Sequence, residues 1–206
     1  MKKFILLTIF LIYCGIAFSQ NDQLKKDTTW EWRIGLSANI GNGIPIRPPG
    51  TQDWGGYEGK GSFSYGLQFF KNLSLKSNIK FGFLYSSYKV RYDSDPENPN
   101  PVSVTENFNS IFLPILYNRN FKHRFHFGVG TMVEFALPRN SYPKYIDSQS
   151  GFGLITEFGK EFQIKRLVLD LSPNLEIHSI IPFNTEGDKQ RILVLGVRFG
   201  LYYNLK

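Results

Sequence analysis

A chain of 206 residues with 24 Lys and Arg, 17 Asp and Glu and a formal charge of +7 is long enough for one sizeable core and only mildly basic. Its cations are scattered and no zinc-ligand spacing occurs, which argues against nucleic acid as a partner. The single cysteine, Cys14, lies in an apolar N-terminal run, so no disulfide framework can stabilise the remainder.

Lys2 and Lys3 precede the run Phe4 to Phe18, and Ala17-Phe18-Ser19 offers small residues for cleavage, the pattern of a secretory leader. The run is shorter than the roughly 20 apolar residues a spanning helix needs. A lipid anchor on Cys14 is disfavoured because bulky Tyr13 precedes it and it lies inside the run. Residues 1–20 are therefore expected to be a signal peptide removed near Ser19/Gln20, and 21–206 a single all-β domain. Loss of Lys2 and Lys3 with no acid leaves a charge of +5. No later segment is apolar for long enough to make a helical span, so any crossing of a membrane must use strands.

From Trp30 to Ile40 the chain alternates, with Trp30, Trp32, Ile34, Leu36, Ala38 and Ile40 on one face and Glu31, Arg33, Gly35, Ser37 and Asn39 on the other. Gly41 to Gly61, rich in Pro and Gly, reads as a long loop. A second strand sets Phe63, Tyr65, Leu67 and Phe69 against Ser64, Gly66 and Gln68, and turns near Lys71 to Leu73. A third sets Ile79, Phe81, Phe83 and Tyr85 against Lys80, Gly82 and Ser86. Its apolar phase then shifts to Tyr88, Val90 and Tyr92, which implies a bulge near Ser86 and Ser87 or a hairpin leaving the bilayer.

Asp93 to Pro101 is a loop by composition, and the fourth strand, Phe108 to Asn118, is apolar on both faces and contains Pro114. After a turn at Arg119 to His123, the fifth opposes Phe125, Phe127, Val129, Val133 and Phe135 to His126, Gly128, Gly130, Met132 and Glu134. Pro138 to Ser150 is a third loop. The sixth strand opposes Phe152, Leu154 and Phe158 to Gly151, Gly153, Glu157 and Gly159, with a turn across Lys160 to Arg166. The seventh opposes Leu167, Leu169, Leu171, Leu175 and Ile177 to Asp170, Ser172, Asn174, Glu176 and His178. A fourth loop at Ile180 to Gln190 precedes an eighth strand with Leu193, Leu195, Val197, Phe199, Leu201 and Tyr203 against Gly196, Arg198, Gly200 and Asn204.

Eight strands joined alternately by long and short connections predict an antiparallel up-and-down transmembrane β-barrel, short turns in the periplasm and long loops outside. The rings of the apolar face would overfill the space that eight strands enclose. Glycine on the other face weakens strands but leaves room in a crowded interior. The apolar face is therefore expected to meet lipid. Trp30, Tyr117, Phe125, Phe158 and Tyr203 would mark the periplasmic interface, and Tyr65, Tyr85 and Phe152 the outer one.

The interior then holds Glu31, Arg33, Lys80, His126, Glu134, Glu157, Asp170, Glu176, His178 and Arg198. These are expected to pair into a network that plugs the barrel, with Glu31 or Arg33 brought near Arg198 by closure of the first strand on the last. No metal site, cofactor or catalytic motif is read. His178 and Ser179 should point to opposite faces and share no site. In the loops, Arg47, Trp54 and Tyr57, near Asp53 and Glu58, are candidate contacts for sugar, lipopolysaccharide or a partner protein.

The segments SIFLPILY (Ser110 to Tyr117), NRNFKHR (Asn118 to Arg124) and FHFGVG (Phe125 to Gly130) resemble a recurring feature of bacterial outer-membrane β-barrel domain proteins grouped as the porin family. There a strand with an aliphatic-Pro-aliphatic core meets a glycine-bearing strand. The resemblance implies an eight-stranded barrel in the bacterial outer membrane, with no catalytic residues to carry over. The expected partners are outer-membrane lipid, lipopolysaccharide and the barrel-assembly machinery, which would read Tyr203 and Leu205. A non-enzymatic monomer with an envelope or surface-binding role is expected. The alternatives are a membrane enzyme acting on lipid or lipopolysaccharide, a narrow solute pore, and a secreted lipid-binding barrel.

Overall fold

The computed structural model describes residues 31–46, 56–74, 76–94, 100–138, 147–184 and 190–205. They form a closed barrel of eight antiparallel strands in sequential order. The strands are β1 (Trp32–Ile46), β2 (Gly56–Ser74), β3 (Ser77–Asp93), β4 (Ser103–Asn120), β5 (Phe125–Ala136), β6 (Gly151–Ile164), β7 (Leu167–Pro182) and β8 (Arg191–Leu205). Each pairs with its neighbours in sequence, and β1 closes on β8 from Trp32↔Leu205 to Ile46↔Arg191. The expected leader, Trp30, Arg47 and Trp54 lie outside the described residues.

Three short connections share one end with Trp32 and Leu205: that between Ser74 and Ser77, the 3₁₀ turn at Lys122–Arg124, and Lys165 with Arg166. His123 (φ 58°), Arg124 (φ 61°) and Lys165 (φ 55°) adopt the left-handed backbone that such tight reversals use. The four long connections lie at the opposite end.

The strands run further than alternation alone suggested. The loop expected across Gly41 to Gly61 is cut from both sides, because β1 continues against β8 to Ile46 and β2 pairs with β3 from Gly56↔Asp93. Pro45 is accommodated beyond Gly41↔Ser62, where the ladder between β1 and β2 stops and the strand has a ladder partner on one side only. The turns expected at Lys71 to Leu73 and Lys160 to Arg166 also contract, since β2 reaches Ser74 and β6 reaches Ile164.

No bulge interrupts β3 at Ser86 and Ser87, which pair in register with Ser64 and Phe63. The phase shift instead marks a change in the inner face, where Tyr88 and Val90 are buried inside the barrel while Lys89 and Arg91 point outward. Cations on the outer wall place this hairpin beyond the hydrocarbon. Register shifts occur between Gly59 and Gly61, between Asn72 and Ser74, and between Phe152 and Leu154. Along β4, Phe108, Phe112, Pro114 and Leu116 face inward, which is why the strand reads as apolar on both faces. The ladder from β3 to β4 skips the positions opposite Leu113 and Pro114 without losing register, as expected where a proline lacks an N–H.

The two faces settle what surrounds the barrel. Leu36 and Phe83, both 61% exposed, belong to an outer wall that also carries Ile40, Leu67, Ile115, Val129, Leu154, Leu169 and Phe199. Continuous apolar surface on this scale is unsuited to water but matched to hydrocarbon. Rings gather at both margins: toward the loop end Phe63, Tyr65 and Tyr85 meet in succession at tilted angles on β2 and β3, and Phe183 contacts Phe135 and Phe152 on another part of the wall. Toward the turns stand Trp32, Tyr117, Phe125, Phe158 and Tyr203. A closed meander with an apolar belt, aromatic margins and a polar interior is an outer-membrane β-barrel by architecture.

Leu36 lies between Leu67 and Leu201 near the middle of the belt. Leu36→Arg is expected to lower stability by about 2–4 kcal/mol in reversible urea unfolding from phospholipid vesicles. A loss below about 1 kcal/mol would place this wall outside the hydrocarbon.

Candidate functional site

Among the described residues the most extended polar network lies inside the barrel. Glu157 on β6 pairs through Oε1 with the Lys80 ammonium on β3 and through Oε2 with Arg198 Nη1 on β8, the latter at 2.7 Å. Arg198 spends its other arm on Glu176 Oε1 of β7, also at 2.7 Å. One guanidinium thus spans two carboxylates through separate nitrogens of its rigid planar fork, where a lysine would present a single nitrogen. Glu176 accepts further bonds from Asn174 Nδ2 (2.6 Å) and Asn39 Nδ2 (3.2 Å).

The chain continues toward the loop end. Glu176 Oε2 lies 3.4 Å from His178 Nε2, and His178 Nδ1 lies 2.7 Å from Glu134 Oε2 on β5. Glu134 also accepts from Ser110 Oγ on β4 and, at 3.4 Å, from Tyr88 Oη on β3. On the other side, His126 Nε2 approaches Glu157 Oε1 (3.6 Å) and Asp170 Oδ1 (3.8 Å), while Ser172 Oγ donates to Asp170. The connected groups come from β1 and from all of β3 to β8, so the network ties the staves together across the lumen.

Apolar layers bound this charged middle. Phe70, Val168 and Tyr202 pack toward the turn end, with the Phe70 and Tyr202 rings 4.5 Å apart and Tyr202 Oη donating to Gln68 at 2.8 Å. Tyr88, Val90, Phe108, Ile192 and Val194 close the loop end, and Leu84, Phe112 and Met132 fill one flank. Glycine makes room for the larger groups. A Cβ on Gly200 would fall against the Tyr202 ring, and one on Gly159 would meet Ser172 Oγ and the His126 imidazole.

Of the interior candidates, Arg33, Lys80, His126, Glu134, Glu157, Asp170, Glu176, His178 and Arg198 are all buried. Glu31 is not among them. Its side chain is 64% exposed at the rim and pairs with Lys71, because it precedes the first paired residue of β1. Neither Glu31 nor Arg33 approaches Arg198 as expected from closure alone: the register sets Arg33 opposite Asn204 and Arg198 opposite Asn39. Arg33 instead reaches Glu161 Oε1 on β6 at 2.6 Å and lies over the Phe70 ring.

Glu161 escaped sequence reasoning because its segment read as a turn, although it continues the inward phase of Glu157 and Gly159. Tyr202 was equally legible, sitting between inward Gly200 and Asn204. Tyr57 is corrected as well. It belongs to β2 rather than a loop, half-buried against Tyr92 at 5.0 Å, and its hydroxyl accepts from Gln190 Nε2 at 3.0 Å. Gln190 is in turn held by Asp147 and Gln149, so the ends of β2, β6 and β8 are clasped above the plug.

His178 and Ser179 do not alternate. The register shift gives β7 extra residues opposite Phe152 to Leu154, Ser179 takes φ 50°, and both side chains are buried. They still make no nucleophile pair, since Ser179 Oγ donates to the Ser150 carbonyl and His178 is engaged by carboxylates. Among the described residues no group of three or more His, Cys, Asp or Glu is arranged to hold a metal ion.

No protein-family model matches the sequence, and no curated protein matches it either. Solved structures with a similar course of chain include the outer membrane protein OprG from Pseudomonas aeruginosa, at 12% identity and a TM-score of 0.48, over 84% of this chain and 96% of that one. Another is Ail, the attachment invasion locus protein of Yersinia pestis, in complex with the heparin analogue sucrose octasulfate (13% identity, TM-score 0.40, 84% and 99% covered). The translocator domain of the autotransporter NalP from Neisseria meningitidis is similar at 11% identity and a TM-score of 0.36, with 99% and 98% covered.

Removing one partner from a buried ion pair leaves the other uncompensated, at a cost of about 3–5 kcal/mol. Glu157→Gln, which strips countercharge from both Lys80 and Arg198, is expected to fall in that range, whereas Tyr202→Phe should cost about 1 kcal/mol. Urea titration in vesicles compares them; equal and small losses would mean that water reaches the network.

Proposed function

We propose that this protein is a non-enzymatic component of the bacterial outer membrane. Its barrel acts as a rigid, sealed support, and it contributes to envelope structure or surface binding through the long loops at one end. The observation that carries this reading is the filled lumen. A charge network that engages groups from most of the strands lies between Phe70, Val168 and Tyr202 on one side and Tyr88, Val90, Phe108, Ile192 and Val194 on the other, and these side chains occupy the lumen at successive levels. The exported location presupposes removal of residues 1–20 as a leader.

A pore is disfavoured because conduction would require breaking several buried pairs together. An enzyme acting on lipid is disfavoured because both interior imidazoles are buried and face carboxylates rather than the outer wall. Recognition outside the membrane then belongs to the loop end, where binding groups can vary on a fixed scaffold.

Cell fractionation with heat-modifiable gel migration tests the location, and a soluble periplasmic protein would overturn it. In planar bilayers the folded protein is expected to give no discrete conductance steps at physiological salt. Reproducible steps that vanish when Arg198 is replaced by Trp would convert the plug into a gate.

A further inference from the structure

Among the described residues the two rims of the barrel carry different charge. At the turn end Lys76 marks the first reversal, Arg119, Lys122 and Arg124 the second, and Lys165 and Arg166 the third. On the wall above them, Lys71 and Lys160 also point outward. Against these eight cations the same rim has one outward carboxylate among the described residues, Glu31, already paired with Lys71. Glu161 lies at this level but faces Arg33 in the interior. Among the described residues the loop rim is mixed by contrast: Lys60 pairs with Glu58, Arg91 with Asp93, and Arg191 lies near Asp147.

The wall cations have the posture of residues at a lipid boundary. Lys71 Nζ lies 4.6 Å from the Trp32 ring centroid, and Lys160 Nζ lies 5.0 Å from that of Phe125 and 5.4 Å from that of Phe162. Their alkyl stems run along the apolar belt while the ammonium groups sit over its aromatic margin, where headgroups begin. Of the remaining cations, Lys76, Arg119, Lys122 and Lys165 are exposed just beyond that line, while Arg124 Nη1 donates to Gln163 Oε1 at 2.5 Å and Arg166 Nη1 to Tyr203 Oη at 3.2 Å.

We propose that this cationic collar is a binding surface for the phosphates of anionic phospholipids in the leaflet facing the turns. The inference rests on the membrane reading above and adds a leaflet and a lipid class to it. A headgroup phosphate can bridge neighbouring cations on adjacent turns, and each Lys or Arg held near an anionic surface adds to a preference that salt weakens. The collar thereby fixes the depth of the barrel through charge where the belt fixes it through apolar contact.

The test uses the full mature chain folded into vesicles of phosphatidylcholine with phosphatidylglycerol, and reads the lipids that contact the barrel with spin-labelled phosphatidylglycerol and phosphatidylcholine. The expected result is an enrichment of phosphatidylglycerol by about twofold or more at low salt, falling toward parity in 1 M NaCl. The combined variant Lys76→Gln, Lys122→Gln, Lys160→Gln and Arg166→Gln should lose the enrichment while keeping its heat-modifiable band. Equal association of the two lipids with the wild-type barrel overturns the proposal, as does enrichment that survives both salt and the substitutions. So does loss of binding to isolated cell-wall sacculi in the variant with no change in lipid preference, which would give the collar to an acidic polymer. Failure of the wild-type chain to enter vesicles at all would instead strike the membrane reading itself.

Discussion

Hydrocarbon offers no hydrogen bonds, so a chain that crosses it as strands must satisfy every amide from within and can leave no sheet edge. Pairing of β1 with β8 along fifteen registered positions meets that demand, and the other features follow from it. Once eight strands close, the interior is only as wide as the side chains that fill it. Bulky groups are then distributed by size: rings and aliphatics stand on the outside, while the inside alternates glycine with a few long or aromatic residues.

Charges in so narrow a space stay ionised only with partners at hand. Arg198 is the hinge of this arrangement, because its planar fork serves Glu157 and Glu176 at once, and those carboxylates in turn engage Lys80, His126 and His178. A buried ion pair of this kind contributes less to net stability than its Coulomb energy suggests, since desolvation offsets much of the attraction. Its effect is on specificity: each member fits one register, and sliding a strand by a single residue would turn its charges toward lipid.

Much of this architecture is legible in the sequence because a period of two sorts residues onto faces without knowledge of neighbours. Trp32 to Ile40, Phe125 to Phe135 and Leu193 to Tyr203 each announce their lipid side in this way. Where the period is read too strictly it misleads. Tyr88 and Val90 suggested a bulge although the strand stays in phase, and Ser179 was sent to the outer wall although the irregular pairing turns it inward. Partner identity is less accessible still. Arg33 and Glu161 stand 128 residues apart, and only the full circle of registers brings them to 2.6 Å. Composition also exaggerated the loops, since Pro45 and the glycines near it looked like punctuation yet are held by a neighbouring strand.

The distribution of the lumen charges over many strands bears on how the barrel is made. A single hairpin carries at most a fragment of the network: β7 and β8 bring Glu176 to Arg198, yet Glu157 and Lys80 wait on β6 and β3. An unfinished sheet inserted in the bilayer would therefore expose open amides at its edges and unbalanced carboxylates and ammonium groups on its concave side. The first penalty ends only when the first and last strands meet, whereas the second ends when the sheet curls far enough to bring β3, β6, β7 and β8 together across the lumen. Closure of the edge and countercharge for the lumen are thus two demands on one sheet, met by its seam and by its curvature.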